Sequence, residues 1–132
     1  MKETLYQLIL DQSERLLDMS DRIFDNPEYD GEEHFASGLL EDYLEENGFQ
    51  VQRGLTGWPT AFRATWKQGE GGPRIGLLCE YDALRQLGHG CGHQMQGPCI
   101  CGTAVALKNA GFDQPFELVV YGTPAEETRG AK

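Results

Sequence analysis

Apolar residues in the first third of the chain recur at spacings that sum threes and fours. Leu5, Ile9, Leu16, Met19 and Ile23 fall on one stripe with acidic residues between them, which predicts a helix over 3–25. Asn26-Pro27 ends it, because a proline ring disfavours helical backbone at the residue before it. A second helix is predicted over 32–46, with Phe35, Leu39, Tyr43 and Leu44 as its apolar face and Asn47-Gly48 as its stop. The period then changes to two. Phe49, Val51 and Leu55 alternate with Gln50, Gln52 and Arg53, and Ala61 to Trp66 forms a further short strand. The glycine-rich stretch 68–73 reads as a tight turn. Ile75 to Cys79 is a continuous apolar run and predicts a strand buried on both faces. A small-residue helix is expected from Gly97 or Cys99 to Asn109, ended by Gly111, and Phe116 to Tyr121 is a last buried strand. The order α, α, β, β, β, α, β implies an α/β sandwich.

Composition narrows the function. The chain has 132 residues, 39% of them hydrophobic, which suits one domain with a core. Its formal charge is −10. Fourteen acids against three bases lie in residues 1–50, so the acidic surface is concentrated there. That balance argues against nucleic acid or an anionic membrane as partner. No apolar run approaches the roughly 20 residues of a membrane helix. The first residues acquire Asp11 and Glu14 too early for a signal-peptide core, and four cysteines are too few for a disulfide scaffold, so a cytoplasmic protein with reduced thiols is expected.

Three groups of residues carry chemistry. His89-Gly90-Cys91-Gly92-His93 places two imidazoles and a thiol within five residues of flexible backbone, and both side-chain types ligate zinc and similar ions. Glu126-Glu127 follows the last strand after Pro124, and adjacent carboxylates can divide metal binding from proton abstraction. Asp82, with Glu80, follows strand 75–79 and is suited to orient a ligating histidine. Each has a plainer reading as a solvated turn or loop. A closed zinc site of Cys91, His93, Cys99 and Cys101 is a further alternative, though its spacing is unusual, and Cys79 reads as core. Ligand sites in open α/β sheets lie at the carboxyl ends of strands, so Cys91, His93 and Glu127 are expected to converge.

Gly76-Leu77-Leu78-Cys79-Glu80-Tyr81-Asp82-Ala83-Leu84, Gly88-His89-Gly90-Cys91-Gly92-His93 and Gly122-Thr123-Pro124-Ala125-Glu126-Glu127 resemble successive blocks of the M20 metallopeptidase/amidohydrolase family, in particular its aminobenzoyl-glutamate hydrolase and M20-domain dipeptidase branch. Asn26-Pro27-Glu28 followed by Glu32-Glu33 resembles that family's first loop. The resemblance implies a zinc-peptidase-like α/β sandwich with a mixed sheet, incomplete here. Residues 1–132 would be the N-terminal portion of the catalytic domain, without the lid and dimerisation domain. It implies two divalent ions, zinc or manganese, with Cys91, His93 and Glu127 as metal ligands, Glu126 as general base and Asp82 as a support. The implied substrates are N-acyl amino acids, aminobenzoyl-glutamate-like compounds or small dipeptides, and a homo-oligomer is among the implied partners. Arg85-Gln86 and Gln94 depart from the family pattern at the expected pocket rim. The family's remaining histidine ligands are expected beyond residue 132, which leaves a truncated, non-catalytic remnant that binds a metal weakly or self-associates as the alternative.

Overall fold

The computed structural model describes residues 1–130. Its elements follow the predicted order: α1 Lys2–Phe24, α2 His34–Glu46, β1 Gln50–Leu55, β2 Trp58–Gln68, β3 Arg74–Cys79, α3 His93–Asn109 and β4 Phe116–Gly122. Helix α1 stops two residues short of Asn26-Pro27, as the ring of Pro27 requires. The N-terminus of α2 is capped from a distance. The Glu28 carboxylate accepts the N–H groups of Phe35 and Ala36, each at 2.9 Å, which satisfies two orphan donors and places an acid at the positive end of the helix. Strands β1 and β2 are joined through Thr56-Gly57. Both residues have positive φ, as a two-residue hairpin matching the strand twist demands.

The four strands form one mixed sheet in the order β1-β2-β4-β3. β2 runs antiparallel to β1 and β4, and β3 runs parallel to β4, with Cys79 level with Gly122. Phe62, Ala64, Phe116, Leu118 and Val120 lie on one face, and join a core with Met19, Ile23, Leu40, Leu44 and Val105 from the helices. Glycines let α3 come close. A Cβ at Gly102 would stand 2.6 Å from Leu16 of α1, and one at Gly97 would stand 3.0 Å from Leu40 and 3.2 Å from the Glu80 carbonyl. No helix among the described residues is long and apolar enough to cross a membrane.

Two expectations are corrected. Strand β3 is not buried on both faces: it is an edge strand, and Ile75 and Leu78 remain 40% and 46% exposed. Its apolar run reflects the parallel pairing with β4, but here only one sheet face is covered by helices. Helix α3 begins at His93 and not at Gly97 or Cys99. Gly92, in a left-handed conformation at φ 89°, turns the glycine-rich loop directly into the helix.

The asymmetry of the sheet makes a testable difference between strands. Leu118→Ala, at a fully buried site in β4, is expected to lower stability by about 2–5 kcal/mol in urea unfolding. Leu78→Lys on the exposed edge is expected to change it by no more than about 0.5 kcal/mol, and to reduce self-association in analytical ultracentrifugation by charging an unpaired edge.

Candidate metal centre

Parallel pairing brings the carboxyl ends of β3 and β4 side by side. The two ends are tied together by Thr123, just after β4, whose N–H and hydroxyl both donate to the Cys79 carbonyl, at 2.9 and 3.2 Å. Beyond β3 the segment 80–82 turns inward. Tyr81 is buried against Phe62 and donates its hydroxyl to the Thr60 carbonyl at 2.6 Å, which leaves Glu80 and Asp82 on the side of α3. The first residue of α3, His93, meets them there.

Asp82 is fully buried. The His93 ring donates through Nδ1 to Asp82 Oδ1 at 2.9 Å, and the Glu127 N–H donates to Asp82 Oδ2 at 3.0 Å. Since a carboxylate only accepts, Nδ1 carries the proton and Nε2 faces the acids. Glu80 lies 3.1 Å from Nε2, Glu127 3.8 Å and Glu126 3.9 Å. The bond to Asp82 holds the His93 imidazole above its ordinary pKa against the effect of burial, helped by the charges of Asp82, Glu80 and Glu127. Burial alone would push the Asp82 carboxyl up. The His93 and Glu127 bonds outweigh it and hold Asp82 below its ordinary value. Burial pushes the Cys91 thiol up, and the nearby Glu127 and Asp82 charges act in the same sense.

Two overlapping groups of donor atoms result. Cys91, His93 and Glu127 each offer one atom within 4.8 Å of the others, as do Glu80, His93 and Glu126. That spacing is close to what a single ion needs when bound at about 2.0–2.3 Å from each donor. Thiolate, imidazole and carboxylate together suit zinc and its neighbours. Three carboxylates around one imidazole nitrogen also make a surplus of negative charge that a divalent cation would balance, so the residues present fit a metal.

The remaining candidates separate from this centre. His89 is buried beside Phe24, with ring centroids 6.5 Å apart, burial lowers its pKa, and it belongs to neither group of donor atoms. Cys101 is buried with its sulfur 3.9 Å from that of Cys79, and Cys99 is exposed. The closed site of Cys91, His93, Cys99 and Cys101 is therefore not formed. Arg85, at the expected rim, pairs with Asp30 in the first loop. Glu33, which no spacing argument singled out for a role, is fully buried and accepts the Ala125 N–H beside the two terminal acids.

No protein-family model matches the chain. Xaa-Arg dipeptidase from Mus musculus is 39% identical over 145 residues, covering 100% of this chain and 33% of that protein. A p-aminobenzoyl-glutamate hydrolase polypeptide from Escherichia coli is 35% identical over 153 residues, covering 98% of this chain and 31% of its own length. The chain thus spans about a third of the length of these relatives. A dinuclear metal-binding peptidase of the M20 family from Bacillus subtilis superposes with a TM-score of 0.73 at 26% identity, over 86% of this chain and 35% of that one. A candidate aminohydrolase from methicillin-resistant Staphylococcus aureus superposes with a TM-score of 0.82 at 19% identity, over 98% of this chain and 36% of that one, a likeness of fold. The chain is accordingly a relative of the M20 metallopeptidases and amidohydrolases. Within that class its sequence matches include Xaa-Arg dipeptidase and the aminobenzoyl-glutamate hydrolase, the branch that the three blocks resemble.

The protonation states set the pH dependence of this corner. The raised His93 pKa contributes stability that is full below its ordinary 6.5 and lost as pH rises through the folded value. The lowered Asp82 pKa contributes stability that is present above its ordinary 3.8 and lost as pH falls through the folded value. The metal-free chain is expected to gain most from this pair between pH 3.8 and 6.5. A divalent ion competes with protons on His93 Nε2 and Cys91, so its apparent affinity should rise about tenfold per pH unit for each proton displaced. Calorimetry in two buffers of different ionisation enthalpy measures that proton release.

Proposed function

We propose that this chain contributes the Cys91–His93–Glu126–Glu127 corner of a metal-dependent amidohydrolase or peptidase of the M20 type. The observation that supports the reading is the convergence of Cys91, His93 and both glutamates on the carboxyl ends of two adjacent parallel strands. Residues 1–132 act as the N-terminal portion of a catalytic domain, and the rest of the ligand set and the lid lie outside it. The substrates are N-acyl amino acids, aminobenzoyl-glutamate-like compounds or small dipeptides. The protein works in the cytoplasm, without nucleic acid or membrane, and the lid makes it a homo-oligomer.

Cys91, His93 and Glu127 hold the metal, with zinc or manganese as the ions. When bound, two such ions would supply Lewis-acid polarisation of an amide carbonyl and a water acidic near neutral pH. Asp82 fixes the His93 ring through Nδ1, so that Nε2, among the acids, is the ring nitrogen a metal would take in exchange for its proton. The same carboxylate holds the backbone at Glu127, which sets where the two glutamates project. Glu126 takes the proton from water as general base and returns it to the leaving amine. Gly92 and the start of α3 put Cys91 and His93 on either side of a sharp turn, so both face the strand ends.

Substitution separates the two glutamates. In the complete catalytic domain Glu126→Gln should lower turnover by roughly 10²–10⁴-fold, the usual contribution of a positioned base, with metal content nearly unchanged. Glu127→Gln should lower metal occupancy, because a neutral amide is a poorer ligand. Metal analysis beside turnover decides it: if Glu126→Gln strips the metal and Glu127→Gln retains it, the two roles are reversed.

A further inference from the structure

The loop between α1 and α2 holds a carboxylate that the proposed chemistry does not use. Glu33 is fully buried. Its Oε1 accepts the N–H of Gly31 at 2.9 Å and that of Ala125 at 3.2 Å, and its Oε2 lies 3.3 Å from the Thr60 hydroxyl, whose single proton is shared with the Gly31 carbonyl at 3.0 Å. Ala125 is itself fully buried, with φ 54°, a left-handed conformation that alanine seldom adopts. Its carbonyl accepts the N–H groups of Thr128, Arg129 and Gly130, at 3.3, 2.9 and 2.9 Å. The turn that carries Glu126 and Glu127 is therefore pinned on both sides of one strained residue. Strained backbone of this kind persists only where its surroundings over-determine it. Here the surroundings are Glu33, 92 residues earlier in the chain. The same loop reaches the other strand end, where the Glu28 carbonyl accepts the Ala83 N–H at 2.8 Å, next to Asp82.

We propose that Glu33 is a positioning residue of the metal centre: its buried carboxylate holds Ala125 in the left-handed turn that aims Glu126 and Glu127 at Cys91 and His93. The inference rests on the reading of Cys91, His93 and Glu127 as metal donors. Glu33 acts through the Ala125 backbone and is not itself a donor. Glu33→Gln keeps the volume of the side chain but removes its charge, so the N–H groups of Gly31 and Ala125 are left with a neutral amide oxygen in place of a carboxylate. Thr60→Val removes the hydroxyl shared by this carboxylate and the Gly31 carbonyl, at nearly constant shape.

The test is cobalt(II) titration of the full chain, followed by its visible and thiolate-to-metal charge-transfer absorption, at a temperature where every variant is folded. Glu33→Gln is expected to weaken cobalt binding about 10–100-fold, the usual effect of losing a group that orients a metal ligand. The thiolate band should persist at saturation, because Cys91 is untouched. Thr60→Val should shift affinity the same way by a smaller factor. Unchanged affinity and spectrum in both variants overturns the proposal, even where the melting temperature falls. If Glu33→Gln does not fold, Thr60→Val decides alone: weaker cobalt binding supports the proposal and an unchanged isotherm overturns it. Cys91→Ser and Glu127→Gln are the controls for the underlying reading. If neither alters the isotherm or the band, the metal reading falls and this inference with it. If both do while the Glu33 and Thr60 variants match wild type, only this inference falls.

Discussion

The site depends on one buried carboxylate. Asp82 has no exposed surface, and an unpaired buried charge costs several kcal/mol, so its partners are fixed as firmly as it is. Those partners come from two different places in the chain: the His93 ring at the start of α3 and the Glu127 backbone after β4. A single group after β3 thereby ties three segments into one corner. It also settles the chemistry of the histidine, because a proton held on Nδ1 leaves Nε2 as the only ring atom able to bind a metal.

That corner exists because β3 and β4 are parallel neighbours. In an antiparallel pair, Glu80-Tyr81-Asp82 and Glu126-Glu127 would leave from opposite edges of the sheet. Parallel pairing requires a crossover, and α3 provides it, with His93 as its first residue beside the carboxyl ends of the strands. The small residues of α3 allow the close approach. Gly97 admits the Glu80 carbonyl and Leu40, and Gly102 admits Leu16, so a helix with little amphipathic character still packs on both the sheet and α1. The functional loop and the core packing thus share one helix.

The sequence disclosed the elements well because helices α1 and α2 and strand β4 have strong periods and clear stops. It disclosed the donor groups because Cys91-Gly92-His93 and Glu126-Glu127 are dense in ligand chemistry. It misjudged β3, since an apolar run reports which residues can be buried and not whether a neighbour covers them; Ile75 and Leu78 are exposed at the sheet edge. The start of α3 was hidden because two glycines beside His93 read as loop, whereas Gly92 is the left-handed residue that starts the helix. Glu33 was the hardest to find. Its partners Thr60 and Ala125 lie 27 and 92 residues away, so no local spacing encodes them. The signals were an extra acid in a loop already rich in acids and the resemblance of Glu32-Glu33 to a family loop, and neither names a partner.

The acidity of the first third of the chain then divides into two kinds. Most of it is solvated: Glu3, Asp11 and Glu14 on α1 are exposed. Glu28 and Glu33 instead spend their charge on backbone N–H groups, those of Phe35 and Ala36 for one and those of Gly31 and Ala125 for the other. Charge-assisted bonds of this kind are stronger than neutral ones and hold backbone, not side chains, in place. The first loop is therefore the frame on which the two strand ends are set, one through the Glu28 carbonyl beside Asp82 and the other through Glu33 beside Glu126. Net charge alone describes this chain as an acidic surface, but the half-buried Glu28 and the buried Glu33 act as scaffolding, and the buried Glu41 pairs with Arg53. The donors at the strand ends inherit their geometry from that scaffold, and their own negative charge is what makes the corner suited to a cation.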